Sequence, residues 1–214
     1  MDRLKGKVTI VTGSTSGIGI GIARLYAAEG AKVVIWGRRQ ENLKDGRIDE
    51  LTVDMWDAIF QSDLRGTFYA TKCVLPYLEK NEKGGSIINI GSMASCSGDL
   101  GSSAYACAKA GVDMLTQATS LQYGKKNIRC NCVRPGLIVT PENDAYVPDA
   151  VKKVFLDNIE VNRYGCPEDI GHMCVYLGSD ESEYFTGQVV TVDGGLNSHV
   201  PTVAQFKQLN SRTW

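Results

Sequence analysis

The chain has 214 residues, 43 % of them hydrophobic, which fits one α/β domain with a full core. Its 23 basic and 24 acidic side chains leave a net charge of −1, without the basic excess that a nucleic-acid footprint needs. Seven cysteines without paired Cys-x-x-Cys spacing, and only two histidines, give no metal site and point to free buried thiols in a reducing cytosol.

The opening "MDRLKGKVTIVTG" has no apolar signal core, and no later run approaches the roughly 18 apolar residues of a membrane span. A cytoplasmic protein without a membrane partner is expected. "KVTIVTG" (7–13) is a β-branched run ending in glycine, a helical pattern follows over 18–29, and "AKVVIWG" (31–37) is a second strand. Next comes a helix beginning at "ELTVDMWDAIF", then "GSIINIGS" (85–92), a strand, and a long helix over 103–124. "IRCNCVRPG" (128–136) is a strand stopped by Pro-Gly, and it places Cys130 and Cys132 on one face, as core. A helix over 167–179 and a last strand, "GQVVTVDGG" (187–195), complete the pattern, and the tail 198–214 has no clear role. Strands alternate with helices throughout. The expected fold is therefore a single α/β domain over 1–214, a Rossmann-type doubly wound parallel sheet in three α/β/α layers, covered on both faces.

"TGSTSGIG", Thr12 to Gly19, stands after the first strand and opens the first helix, where a dinucleotide fold needs a phosphate loop. Gly13 permits the tight turn, Gly17 the approach of backbone to a pyrophosphate, and Gly19 close helix–strand packing. With Ser14, Thr15, Ser16 and Ile18 these form the expected cofactor loop, aided by free N–H groups and the positive helix end. At the end of the second strand, where an acid would hold NAD ribose hydroxyls, the chain has Gly37, then Arg38 and Arg39. A guanidinium can bind a 2′-phosphate bidentately, so NADP(H) is favoured, with NAD(H) possible.

"SSAYACAKAG" (102–111) places Tyr105 and Lys109 at i and i+4, on one helix face. A free phenol titrates near about pH 10 and is a poor acid or base at neutrality. A neighbouring ammonium favours the phenolate, and bringing it to neutral pH takes roughly 3–4 kcal/mol. Ser92 ends the preceding strand, and ligands sit at C-terminal strand ends in such sheets. The three could protonate and hold a carbonyl oxygen while hydride arrives from a nicotinamide.

These pieces, "TGSTSGIG", "NIGS" with Ser92, "YACAK", "RPGLIVT" (134–140) and "TGQVVTVDGG", resemble the short-chain dehydrogenase/reductase family in content and order, over nearly the whole chain. The resemblance implies a seven-stranded doubly wound fold, with Ser92, Tyr105 and Lys109 catalytic. It also implies that Pro135, Gly136, Ile138 and Thr140 lie along the cofactor, and that the reaction is hydride transfer to a ketone or from a secondary alcohol. The helices over 50–80 and 103–124 resemble those that pair across family dimers, implying a homodimer or homotetramer.

Two departures stand out. Family members carry two further strands between the second strand and the helix of "ELTVDMW", one bringing an Asp beside the adenine, the other an Asn-Asn-Ala-Gly turn. Neither is in this sequence, which reads as two joints, near 43/44 and 49/50, with segments left out at each. A chain without them would lose a strand adjoining the first one and leave backbone unpaired. In "FQSDLRGTF", Asp63 stands where the family usually has Asn in a proton relay behind the lysine. It could orient water, pair with Lys109 or weaken the relay.

The segment from Leu137 to Tyr164 is the expected substrate lid. Tyr146, Val147, Val151, Val154, Phe155 and Leu156 offer apolar surface, and Ser95 and Cys96 stand with Tyr146 as candidate pocket residues. A bulky hydrophobic alcohol, a steroid or an acyl-type ketone fits such a lid, though the same residues could simply pack it down, and a sugar or polyol substrate stays open beside them. The rival to an active oxidoreductase is a low-turnover nucleotide-binding protein of the same fold with a regulatory role.

Overall fold

The computed structural model describes residues 2–37, 44–98, 100–145 and 147–209. The first unit is β1 (Val8–Thr12), α1 (Gly17–Ala28) and β2 (Lys32–Trp36). β1 and β2 run parallel, with Val8 opposite Lys32 and Thr12 opposite Trp36. β3 (Gly85–Ile90), β4 (Ile128–Pro135) and β5 (Val189–Val192) form a second parallel set in the order β3-β4-β5. The β-branched runs seen in the sequence are all strands, and each crossover is helical, as parallel pairing demands.

Between β2 and β3 the chain forms α2 (Val53–Phe60), a π-helical turn over Gln61–Arg65, and α3 (Gly66–Glu79). α4 (Ser103–Tyr123) lies between β3 and β4. After β4 come two short helices, α5 (Pro141–Asp144) and α6 (Asp149–Asn158). Then come α7 (Pro167–Gly178) and, in the tail, α8 (Val203–Leu209).

α1 and α7 form one helical layer. Ile22, Ala23 and Tyr26 of α1 and Ile170, Cys174, Val175 and Leu177 of α7 are buried together with Val11 and Val133 from the strands. The helices approach closely because glycine faces the partner: a Cβ on Gly21 would lie 2.4 Å from the Pro167 Cβ. The Tyr26 hydroxyl, buried in this seam, donates to the Cys174 carbonyl at 3.1 Å. On the opposite side, α2 and α4 enclose a smaller cluster of Ile59, Ala104 and Ala108, with Leu51, Trp56, Phe60, Leu64 and Tyr105 around it. The architecture is a parallel α/β fold in three layers.

Two expectations need correction. The described residues contain five strands, not seven, and these form two sheets with no ladder joining them. Nor are β1 and β2 covered on both faces. α1 packs on the face that carries Val11, but on the other Val8 is 70 % exposed, Ile10 62 %, Val34 50 % and Trp36 68 %. The physical reason is chain length: only sixteen residues, 37 to 52, separate β2 from α2, too few for a further strand and its crossover. The unpaired backbone expected from the shortened pattern follows from the same shortage. At the joint near 49/50 the chain turns, with Glu50 N and Leu51 N both donating to the Arg47 carbonyl; residues 38–43, beside the other joint, lie outside those described.

The cysteines are free but not all buried. Cys130, Cys132 and Cys174 are buried, Cys166 is intermediate, and Cys73, Cys96 and Cys107 are exposed. Burial pushes the Cys130, Cys132 and Cys174 thiols up to about 12. No described helix is long and apolar enough to cross a membrane.

Candidate active site

The glycine loop joins β1 to α1. Gly13 and Gly17 have φ of +65° and +55°, the left-handed region open to glycine. A Cβ on Gly19 would lie 2.1 Å from the Gly13 carbonyl oxygen, so no side chain fits there. Ser14 braces the loop from inside: its buried hydroxyl donates to Val11 O at 2.7 Å and accepts from Trp36 N at 3.0 Å. Thr15 and Ser16 are exposed. Ser16 is the N-cap of α1 but makes no side-chain capping bond, so no side chain of its own closes the helix's first amides. Ile18 packs against the α1–α7 cluster instead. The loop is thus a cradle that a Cβ would fill, with an open helix N-terminus, and it suits a pyrophosphate.

Gly37 ends β2 beside this loop, where a Cβ would lie 2.2 Å from Thr15 Cγ2. Arg38 and Arg39, which carry the 2′-phosphate expectation, lie outside the described residues, as does Tyr146. From the other side, the segment after β4 reaches the loop: a Cβ on Gly17 would lie 3.9 Å from Thr140 Cγ2. Pro135 is buried, and Gly136 passes close to Asp193, with its N–H donating to Val192 O at 3.0 Å. Ile138 is 6 % exposed, and Thr140 caps α5 in a reciprocal pair with Asn143. Ile138 also bridges Gly165, which ties the two ends of the intervening segment together.

α4 carries Tyr105 in its first turn and Lys109 one turn later. The Lys109 ammonium lies 5.4 Å from the centre of the Tyr105 ring and donates to Ile90 O at 3.2 Å. The carbonyl of β3's last residue thus holds the lysine beside the strand end. Ser92 follows two residues later, and its hydroxyl accepts from Ala94 N at 3.2 Å, fixing the turn over Met93–Ser95. Ser95 and Cys96 follow on this turn, and Cys96 Sγ accepts from Asn197 Nδ2 at 3.2 Å.

Asp63 lies in the π-helical turn and forms an ion pair with Lys109 at 3.9 Å. A π-turn redirects a helical side chain, and such turns recur at functional sites. Of the alternatives open in the sequence, pairing with the lysine is the arrangement found.

Two features went unread in the sequence. Asp113, 6 % exposed and on the same helix, accepts from Arg134 Nε at 3.0 Å and Nη2 at 2.7 Å, clamping α4 to the end of β4. Asp45 accepts from the backbone amides of Ala104 and Tyr105 at 3.2 and 2.8 Å. The Asp-Gly pair at 45–46 is a turn signal, but nothing local connects it to a helix so far along the chain.

A family model described as enoyl-(acyl carrier protein) reductase matches residues 39–197, and one described as short chain dehydrogenase matches residues 7–47. The chain is 34 % identical to a 3-oxoacyl-[acyl-carrier-protein] reductase FabG of Thermotoga maritima, over 91 % of this chain and 99 % of that protein. That alignment spans 245 residues against 214 here, so the relative carries residues this chain lacks. Identity to a 7alpha-hydroxysteroid dehydrogenase of Bacteroides fragilis is 30 %, over 95 % of this chain and 99 % of that one. Among solved structures, a proposed 2-deoxy-d-gluconate 3-dehydrogenase from Agrobacterium tumefaciens, with bound NADP, superposes with a TM-score of 0.86 at 26 % identity. The match covers 92 % of this chain and 98 % of that one. A phosphate-type glycine loop, a Tyr-x-x-x-Lys helix beside a serine strand end and relatives matched over nearly their full length agree: the chain belongs to the short-chain dehydrogenase/reductase family of oxidoreductases.

Proposed function

We propose that the protein is an NADP(H)-dependent oxidoreductase acting between a ketone and a secondary alcohol, with Tyr105 as general acid and base. The observation that carries this reading is the Lys109 ammonium, held on Ile90 O at 3.2 Å and 5.4 Å from the Tyr105 ring, at the strand end that also carries Ser92. When bound, the nicotinamide supplies or accepts the hydride. Ser92 donates a hydrogen bond to the substrate oxygen, Tyr105 gives it a proton in reduction and takes one in oxidation, and Lys109 keeps its ammonium beside the phenol ring. Thr15, Ser16 and the open amides of α1 would hold the pyrophosphate, and Pro135, Gly136, Ile138 and Thr140 would flank the nicotinamide side. Arg38 and Arg39 would favour the 2′-phosphate, consistent with the NADP in the Agrobacterium structure.

The substrate is a bulky apolar ketone or alcohol, of steroid or acyl type. Val151 and Val154 on α6 are 42 % and 63 % exposed, and α6 buries no residue fully, so the lid helix offers an apolar face. The names of the Thermotoga and Bacteroides relatives point to the same two classes. The Asp63–Lys109 pair favours a second reading, a nucleotide-binding protein of low turnover, because it shares the lysine's charge with a carboxylate. A panel of ketones and alcohols, followed by nicotinamide absorbance with NADPH and NADH, separates them. Tyr105→Phe should abolish turnover while cofactor binding persists; Tyr105→Phe with full activity refutes the assignment.

A further inference from the structure

We propose that Asp45 is the positioning residue for Tyr105, a role that rests on the oxidoreductase reading above. α4 does not cap itself. Its N-cap residue, Ser102, has φ −131° and ψ 44°, and its side chain makes no capping hydrogen bond. The first turn is closed from a distant part of the chain. Asp45 Oδ1 accepts from Ala104 N at 3.2 Å, Oδ2 accepts from Tyr105 N at 2.8 Å, and the Gly46 carbonyl accepts from Ser103 N at 3.5 Å. Oδ1 also accepts from Gly46 N at 2.8 Å, which fixes the carboxylate against its own backbone. Three consecutive amides that a helix start leaves unsatisfied are thus met by Asp45 and Gly46, and the carboxylate stands 59 and 60 positions upstream of the two amides it takes.

The consequence falls on one residue. Helix ends fray, and Tyr105 is in the turn that would fray. Lys109 is not, because its bond to Ile90 O holds it from the second turn. Loss of the Asp45 cap therefore moves the phenol relative to an ammonium and a serine that stay in place. A misplacement of about 1 Å at a reacting group can cost on the order of a hundredfold in rate. A negative charge also suits the positive end of α4, which makes this carboxylate a better cap than a neutral side chain. Asp45 lies in the stretch 39–47, where the two family matches overlap, so the anchor of the reacting helix sits where the chain passes from one match to the other.

The test compares Asp45→Ala and Asp45→Asn with the unaltered protein, at a temperature well below unfolding. Asn keeps one acceptor oxygen and Ala keeps none. With the most reactive ketone of the panel, Asp45→Ala should lower kcat by roughly tenfold or more, with KM for NADPH within about twofold, and Asp45→Asn should recover most of the rate. Amide exchange is read in parallel. Ala104 and Tyr105 should exchange roughly tenfold faster in Asp45→Ala, while Val112 and Thr116, further along the helix, are unchanged. Wild-type kcat in Asp45→Ala, or a lowered Tm with unchanged kcat per folded molecule, overturns the proposal. So does unaltered exchange at Ala104 and Tyr105. If the unaltered protein turns over no ketone or alcohol, the oxidoreductase reading fails, and the exchange data still decide whether Asp45 holds the first turn.

Discussion

The outer face of β1–β2 gives the most direct test of the fold. Ile10 is 62 % exposed, with its side chain on the face opposite Val11, whereas Ile22 in α1 is 5 % exposed within the main cluster. Complete burial of an isoleucine side chain is worth about 1.5–3 kcal/mol. With little more than a third of that burial in place, Ile10→Thr puts only about 0.5–1 kcal/mol at risk. Ile22→Thr loses nearly the whole amount and leaves a cavity and a hydroxyl among hydrocarbon, about 3 kcal/mol or more. At roughly 2–4 °C per kcal/mol for a chain of this size, Ile10→Thr should lower Tm by no more than about 4 °C and Ile22→Thr by about 6 °C or more. Thermal unfolding of the two variants, with light scattering recorded on the same samples, measures both. Ile10→Thr should also scatter less, because it replaces a hydrocarbon side chain with a polar one on an exposed sheet face. Equal destabilisation by the two substitutions would show that β1 is covered in solution, and the open-face reasoning would be wrong.

Three further outcomes are expected. Asp63→Asn releases Lys109 from a partly exposed ion pair worth about 1 kcal/mol at most, so steady-state turnover should rise by up to about fivefold; a fall would give the carboxylate a relay role of its own. Thiol titration at mildly alkaline pH should count Cys73, Cys96 and Cys107 first, with Cys130, Cys132 and Cys174 reacting only after unfolding, since burial holds those thiols protonated up to about 12. His199 places its two ring nitrogens against the carbonyls of Val200 and Asn158, at 3.0 and 2.6 Å, and only the charged ring donates to both. Those carbonyls raise its pKa, so its contribution to docking the tail is full below the unfolded value of about 6.5 and is lost as pH rises through the folded one. Limited proteolysis of the tail should therefore be slower at pH about 6 than at pH about 8.5, and His199→Ala should remove the difference.

How much of this was legible in the sequence depends on the reach of each interaction. β1, β2, β3, β4 and β5 all fall inside the β-branched runs, because alternation and terminal glycines act locally. Tyr105 and Lys109 share a helix face because four residues make nearly one turn. The shortened pattern after Leu43 foretold unpaired backbone, but not which side chains would stand bare: Val8, Ile10 and Val11 are equally apolar, and only packing separates them. The π-turn under Asp63 has no residue signature, since any ordinary helical sequence can make it. The Asp45 cap and the Asp113–Arg134 clamp join residues far apart in the chain, and nothing in their neighbours marks the partner.

The two sheets share no backbone ladder among the described residues, so the phosphate-loop half and the Tyr105–Lys109 half are registered chiefly by the α1–α7 seam, with the Arg3–Glu181 and Lys7–Asp180 ion pairs beside it. In a continuous sheet, peptide hydrogen bonds spaced at fixed intervals would set how far a dinucleotide's ring lands from the reacting carbonyl. Here that distance is inherited from interdigitated methyl groups and from two glycines, Gly21 and Gly171, pressed against Pro167 and Leu25. On the oxidoreductase reading, a methyl added at either glycine should therefore widen the seam and lengthen the hydride's travel.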